Sequence, residues 1–191
     1  ERRAKAIVQK EMPDAFVCAS SDVTNVLREY ERFSTAAMNG FVGPRTSFYL
    51  NNLKEKLIRD GFNANLRIIQ SNGGIATVET CSQRAVTMLM SGPAGGVIGG
   101  KSEAVACDSQ NIITVDIGGT SADISTITDG QIKIMNPRDT YVSGHPVLIP
   151  MIDLVTIGAG GGSIAYIDTA GGFHVGPRSA GADPGPACYG R

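Results

Sequence analysis

Histidine is nearly missing from this chain of 191 residues, which holds two, and its four cysteines, Cys18, Cys81, Cys107 and Cys188, lie far apart with no C-x-x-C pair. That scarcity argues against a zinc site and against a disulfide framework, and it fits a reduced, cytoplasmic setting. An excess of charge of either sign is also missing: 17 basic and 18 acidic residues leave a formal net charge of -1, without long runs. Nucleic acid and acidic membrane surfaces are therefore poor partners, and small molecules or protein surfaces are the expected ones. Long hydrophobic runs are lacking too. The most apolar stretch, Ala85 to Gly100, is too short for a bilayer and is interrupted by Ser91, Gly92 and Pro93. With no signal-like start either, the sequence reads as that of a soluble protein.

Glycine, in contrast, is abundant. Of 24 glycines, ten fall between Gly158 and Gly190. Each glycine loses more backbone entropy on folding than any other residue, so this density predicts tight turns or backbone brought close to a ligand. The chain opens on Glu1 without a methionine and stops at Arg191 after a glycine-proline loop, so a piece of a longer polypeptide is expected.

Periodicity predicts a mainly helical portion with short strands over residues 1–110 and a β-rich portion over 111–191, together one compact unit. In the first portion, Glu1 to Glu11 reads as a short helix and FVCAS, Phe16 to Ser20, as a brief strand. Ser21 is then an N-cap for a helix carrying Val23, Val26, Leu27 and Tyr30 at helical spacing. Gly43 and Pro44 interrupt the pattern, which resumes through Phe48, Leu50, Leu53, Leu57 and Ile58 until Gly61 stops it. LRIIQ, Leu66 to Gln70, reads as a buried strand running into a turn at Ser71 to Gly74. A helical region from Cys81 to Met90 follows, and then SGPAGGVIGG, whose small residues would let a helix pack closely on a neighbour. In the second portion IITVD, ADISTIT and QIKIM read as strands, with Asp129-Gly130 a tight hairpin between the last two. Pro146 and Pro150 restrict HPVLIPMIDLVTI to short or edge pieces.

Two phosphate motifs compete. GGVIGGKS, Gly95 to Ser102, fits G-x-x-x-x-G-K-[ST], in which a glycine-rich loop after a strand opens a helix and Lys101 reaches the terminal phosphates. Val86 to Met90 would have to be that strand. Only nine residues separate Ser102 from Ile112, however, too few for a helix and its return when such crossovers take ~30 residues. The favoured reading is a small-residue helix with Lys101 in solvent. VDIGGTSAD, Val115 to Asp123, is the better candidate: strand, aspartate, two glycines, a hydroxyl pair and a second strand describe a hairpin whose tip gathers N–H groups into an anion-binding nest. Gly118 and Gly119 allow unusual φ and leave room for a phosphate, while Thr120 and Ser121 add hydroxyl donors. Asp116, at the end of a buried strand, could hold a magnesium ion through water. Asp123 would do likewise or brace the turn. An ordinary glycine-containing hairpin is the plain alternative.

SNGG at Ser71, SGPAGG at Ser91, DIGGTSAD at Asp116, TIGAGGGSIA at Thr156 and VGPRSAGADPGPACYG at Val175 stand in one order along the chain. In that order, and with REYERFST at Arg28, the sequence resembles the hydantoinase A and 5-oxoprolinase family over nearly its whole length. The resemblance implies an α/β fold, a ribonuclease H-like lobe related to the actin, heat-shock-70 and sugar-kinase ATPases, in which two lobes close on ATP. It implies that the turn at Asp116 is the second of two such turns, the first lying in an upstream lobe of the same chain. It also implies that SGPAGG is a helical element near the cleft, and that GGVIGGKS matches the phosphate loop by accident. Implied with it are ATP and Mg2+ as cofactors and, as activity, the ATP-dependent opening of cyclic amides such as hydantoins or 5-oxoproline. Ketone carboxylation is the activity of some relatives, and many members work with a B-type subunit or domain. A nucleotide-binding regulatory or assembly module of the same fold is the reading from another class; the segment alone is expected to be inactive.

The remaining candidates are weaker. Gly158, Gly160, Gly161, Gly162 and Ser163 follow an extended run and are expected to form a loop closing over nucleotide or substrate, with a tight structural turn as the alternative. Pro184 and Pro186 stiffen GADPGPACYG, which is as suited to a rigid loop as to a binding one. Cys188 has no histidine nearby in sequence and reads as inert. His145 and Asp153 are open between ligation of metal or substrate and structural use. His174 is expected in a surface turn.

Overall fold

A computed structural model describes residues 1–190. In chain order come helices α1 (Arg2–Glu11), α2 (Ser20–Val23) and α3 (Glu29–Arg59), strands β1 (Arg67–Ile69) and β2 (Ile75–Thr77), and helices α4 (Val78–Gln83) and α5 (Ser91–Ala106). Strands β3 (Ile112–Ile117), β4 (Ala122–Thr128), β5 (Gln131–Ile132), β6 (Ile134–Met135), β7 (Tyr141–Val142) and β8 (His145–Pro146) follow. The last are β9 (Met151–Ile152), β10 (Val155–Ile157), β11 (Ser163–Ile167) and β12 (Phe173–Ser179). Two compact units result, one of Glu1–Gly95 with Ile134–Ile152, the other of Gly96–Lys133 with Asp153–Arg191. Their limits cut across the portions 1–110 and 111–191, because α5 runs on past Gly95 and the chain at 134–152 returns to the first unit. Among the described residues no helix is long and apolar enough to cross a membrane.

The first unit is organised by α3. Its buried residues, Thr35, Asn39, Gly43 and Leu50, recur at four, four and seven and so share one face. Two of them are polar, and both are satisfied. Asn39 Oδ1 accepts from the Val86 N–H at 3.1 Å while its Nδ2 donates to the Gln83 carbonyl at 2.9 Å. Thr35 Oγ1 donates to Glu31 O and accepts from the Leu148 N–H. The helix thereby pins two non-helical segments, and Val23, Val86, Val147, Ile149 and Met151 close into a core beside it. Ser71 adds a third anchor: its hydroxyl accepts from the Met90 N–H, and its carbonyl from the Ile152 N–H.

Four expectations fail in this unit, one being the burial of LRIIQ, whose strand Arg67–Ile69 alternates exposed and half-buried residues. Pro44 does not interrupt α3, which runs from Glu29 to Arg59 with Pro44 exposed within it. Gly61, with φ +90°, does end the helix. The helix expected from Ser21 through Tyr30 is broken: α2 is one turn long, Thr24 leaves it in extended backbone and Arg28 takes φ 123°. Of the apolar residues that suggested a buried face only Val23 is buried, Leu27 being 85% and Tyr30 71% exposed. FVCAS forms no strand, as no ladder partner lies beside it, and Cys18 packs on the core instead.

The second unit is built on an antiparallel sheet ordered β10–β4–β3, with β5 paired to the far end of β4 through a turn in which Asp129 has φ 51° and Gly130 φ 68°. These angles are those of the tight hairpin that Asp-Gly predicts. Helix α5 packs against β3 as its small residues suggested: a Cβ on Gly100 would stand 2.6 Å from Thr114 Cγ2, and one on Gly96 would stand 3.2 Å from Asp116 Oδ2. The glycine-rich end is less irregular than expected, since β11 and β12 pair as a hairpin.

Candidate functional site

The phosphate-loop reading of GGVIGGKS fails on backbone geometry. Residues 95–102 lie inside α5, where N–H groups are spent on carbonyls one turn back, and residues 85–88 before it form a 3-10 turn, not a strand. Lys101 is a helix residue without a phosphate cradle.

The Asp116 hairpin is different. Strands β3 and β4 pair in register from Ile112↔Ile127 to Ile117↔Ala122, so Gly118 to Ser121 make a turn closed by a 2.9 Å bond from the Gly118 N–H to the Ser121 carbonyl. Among the described residues, nothing accepts from the N–H groups of Gly119, Thr120 and Ser121. Three successive N–H groups of one turn are thus left for an outside acceptor, the use an anion nest makes of them, with Ser121 N close against the backbone of Gly160. Neither Gly118 nor Gly119 has a positive φ, contrary to expectation; what Gly119 supplies is room, with nothing within 4 Å of where its Cβ would stand.

Beneath the turn, register places Asp116 opposite Asp123, and Asp123 opposite Thr156 of β10, in one row across three strands. Residues paired across an antiparallel ladder point to the same face, so two carboxylates stand side by side, an arrangement that repels unless a cation or donor offsets it. Part of the offset is present: the Thr156 hydroxyl donates to Asp123 Oδ1 at 2.5 Å. Asp116 is exposed, not at the end of a buried strand, because β3 is the edge of this sheet. Its Oδ2 has the side-chain-free surface of Gly96 as a neighbour.

The loop 158–163 packs against the backbone of this turn. The Gly161 N–H donates to Gly118 O at 2.9 Å and the Gly162 N–H to Gly119 O at 2.7 Å. The Gly160 N–H donates to Ser163 Oγ, and the Ser163 N–H returns to Gly160 O. All four N–H groups are thus engaged within the protein. A Cβ on Gly160 would stand 2.6 Å from both Gly118 O and Ser121 N, so only glycine permits this approach. A third layer follows, as Gly162 O accepts from the Ala180 N–H and from the Ser179 hydroxyl.

The other candidates have surroundings of their own. Asp153 pairs with Lys133 Nζ at 2.6 Å. His145, in β8 of the first unit, edges a surface cavity of about 530 Å³ lined by Tyr30, Phe33, Met38 and Phe41. His174 lies in β12 and not in a turn; its ring stacks on Tyr166 and its Nε2 sits 2.6 Å from Asp168 Oδ2. That contact, with N–H groups of Ala170 and Gly172 on Oδ1, holds the Asp168 carboxyl below the usual range. Cys188 is exposed. Among the described residues no three His, Cys, Asp or Glu side chains cluster as a metal site would need. Sequence reasoning missed Thr156, Gly96 and Ser179. All three were in view, inside TIGAGGGSIA, SGPAGG and VGPRSAGADPGPACYG, but their partners lie in other segments.

A family model described as hydantoinase/oxoprolinase matches residues 32–191. Caprolactamase subunit alpha of Pseudomonas jessenii is 41% identical over 191 residues, 100% of this chain and 27% of that one. The crystal structure of the ATP-dependent caprolactamase from that organism superposes with a TM-score of 0.78. A nucleotide-free acetone carboxylase structure, from work on ATP-dependent acetone carboxylation, has the same TM-score at 29% identity, covering 94% of this chain and 26% of that one. 5-oxoprolinase 1 of Arabidopsis thaliana is 34% identical over 94% of this chain and 14% of its own length. The chain thus spans about a quarter or less of these relatives. Its fold is of the α/β, ATPase-related kind that the resemblance implied.

Proposed function

Because the chain belongs to the hydantoinase/oxoprolinase family, we propose that it is the segment of an ATP-dependent cyclic amidohydrolase that holds the nucleotide's phosphates. The observation that carries this reading is the run of three unpaired N–H groups, Gly119 to Ser121, above the opposed carboxylates of Asp116 and Asp123. Those N–H groups, with the Thr120 and Ser121 hydroxyls, receive phosphate oxygens in the space left open at Gly119. Asp116 and Asp123 hold Mg2+ through water, and the ion, when bound, neutralises phosphate charge. The fit is chemical: hard oxygen donors gathered on one face, and an anion cradle next to them. Gly160, Gly161, Gly162 and Ser163 serve the site by fixing the turn's shape.

The reaction class follows from what such a site can do. A ring carbonyl oxygen is a poor phosphoryl acceptor, and positioning with charge neutralisation are the means by which a protein makes the transfer feasible. Cyclic amide, ATP and two waters then give the opened ring, ADP and phosphate, one water going to the amide and one to the phosphoryl group. The higher identity to caprolactamase than to acetone carboxylase favours ring opening over ketone carboxylation. The rest of the chain and a B-type partner complete the enzyme, in the cytoplasm.

Gly119→Val in the full-length protein with its partner tests the reading. The branched side chain enters open space, so the fold survives while ADP release dependent on caprolactam, hydantoin or 5-oxoproline is lost. Turnover at the wild-type rate would refute it.

A further inference from the structure

We propose that Thr156 is a positioning residue for the nucleotide site: its hydroxyl fixes the rotation of the Asp123 carboxylate, so that Oδ2 is the oxygen presented beside Asp116. The inference rests on the reading of the Asp116 turn given above. Three observations support it. Register sets Thr156, Asp123 and Asp116 in one row across β10, β4 and β3, on one face of the sheet. The only hydrogen bond to the Asp123 side chain among the described residues comes from Thr156 Oγ1, on Oδ1 at 2.5 Å. Thr156 itself is exposed, so burial does not explain a hydroxyl at this position.

The physical need is specific. A carboxylate's terminal torsion is broad, so an aspartate left alone samples many orientations and presents either oxygen. Beside a second carboxylate, electrostatic repulsion would turn it away from Asp116. A hydroxyl donor on the side away from Asp116 offsets both effects: it occupies one oxygen, stabilises its charge and leaves the other directed along the row. The third strand is therefore part of the site although it touches no phosphate. A donor that contacts a direct metal ligand typically changes metal affinity by 10- to 100-fold when lost, and Thr156, one water further out, is expected at the low end of that range.

The test uses the full-length protein and reads binding, not turnover. ATP is titrated calorimetrically at a series of Mg2+ concentrations, and the Mg2+ needed for half-maximal binding is compared among wild type, Thr156→Val, Thr156→Ser, Asp123→Asn and Asp123→Asn/Thr156→Val. Thr156→Val keeps the shape of the side chain and removes only the hydroxyl. It is expected to raise the Mg2+ requirement about tenfold, and Thr156→Ser to restore it to within about twofold of wild type, a rescue that a packing role would not give. In the Asp123→Asn background, Thr156→Val is expected to add nothing, because the two residues act as one unit. That comparison decides the matter even if the single valine variant loses stability. A Thr156→Val protein with the wild-type Mg2+ requirement, or an additive double variant, overturns the proposal. If at the same time Gly119→Val abolishes ATP binding, the reading of the turn stands and only the role of Thr156 falls. Wild-type ATP binding by Gly119→Val removes the premise, and the proposal with it.

Discussion

Gly160 is held so near the Gly118–Ser121 turn that a methyl group there would meet backbone atoms, Gly118 O and Ser121 N, and not a side chain that could swing aside. Backbone cannot yield without moving the turn, so Gly160→Ala is expected to cost about 1–3 kcal/mol of stability, the usual range for overpacking. Because the displaced atoms are those of the turn, ATP affinity of the full-length protein should fall with it. Parallel thermal and calorimetric measurements check this, and an alanine variant as stable and as tight-binding as wild type would show the loop and turn to be independent. At the same scale, Asp116 and Asp123 were legible in the sequence because DIGGTSAD states strand, turn and strand locally. Thr156 was not, since what gives it meaning is a register across strands separated by 33 positions in sequence.

Among the elements, the β11–β12 hairpin carries the clearest electrostatic signature. His174 and two N–H groups hold the Asp168 carboxyl below its ordinary value. A depressed carboxylate contributes stability that is present above the unfolded value, about 3.9, and is lost as pH falls through the folded one. The N–H resonances of Ala170 and Gly172, both bonded to Asp168 Oδ1, are therefore expected to titrate together below that value, and Asp168→Asn should abolish the transition. Titration at the ordinary value would mean that the hairpin tip is not held by this carboxylate. The glycine density that suggested loops concealed this hairpin, because glycine marks close approach and turns equally. Helix α3 shows the reverse error. Gly43 and Pro44 read as a break, yet the face formed by Thr35, Asn39, Gly43 and Leu50 keeps 31 residues helical.

For the whole molecule, the decisive fact is that this chain covers 27% of caprolactamase subunit alpha. On the proposed reading, a turn that offers three N–H groups and two carboxylates would grip only one side of a nucleotide, so residues 1–191 alone are expected to bind magnesium ATP far more weakly than the full-length protein. Lys101→Ala should change neither affinity, because Lys101 sits within α5. Calorimetric titration of both forms is the check; tight binding by the segment that vanishes with Lys101 would reinstate the phosphate loop. By itself the sequence determined the family, the α/β class, the Asp116 turn and the close packing of a small-residue helix, all of which follow from contiguous residues whose chemistry is read in place. Only the tertiary structure decided that this helix lies against β3 at Asp116, that the 158–163 loop spends its N–H groups within the protein, and that a threonine from a third strand holds Asp123. Those are contacts between segments far apart in the chain, and hydrogen bonding and steric fit across such distances leave no periodic trace in the order of residues.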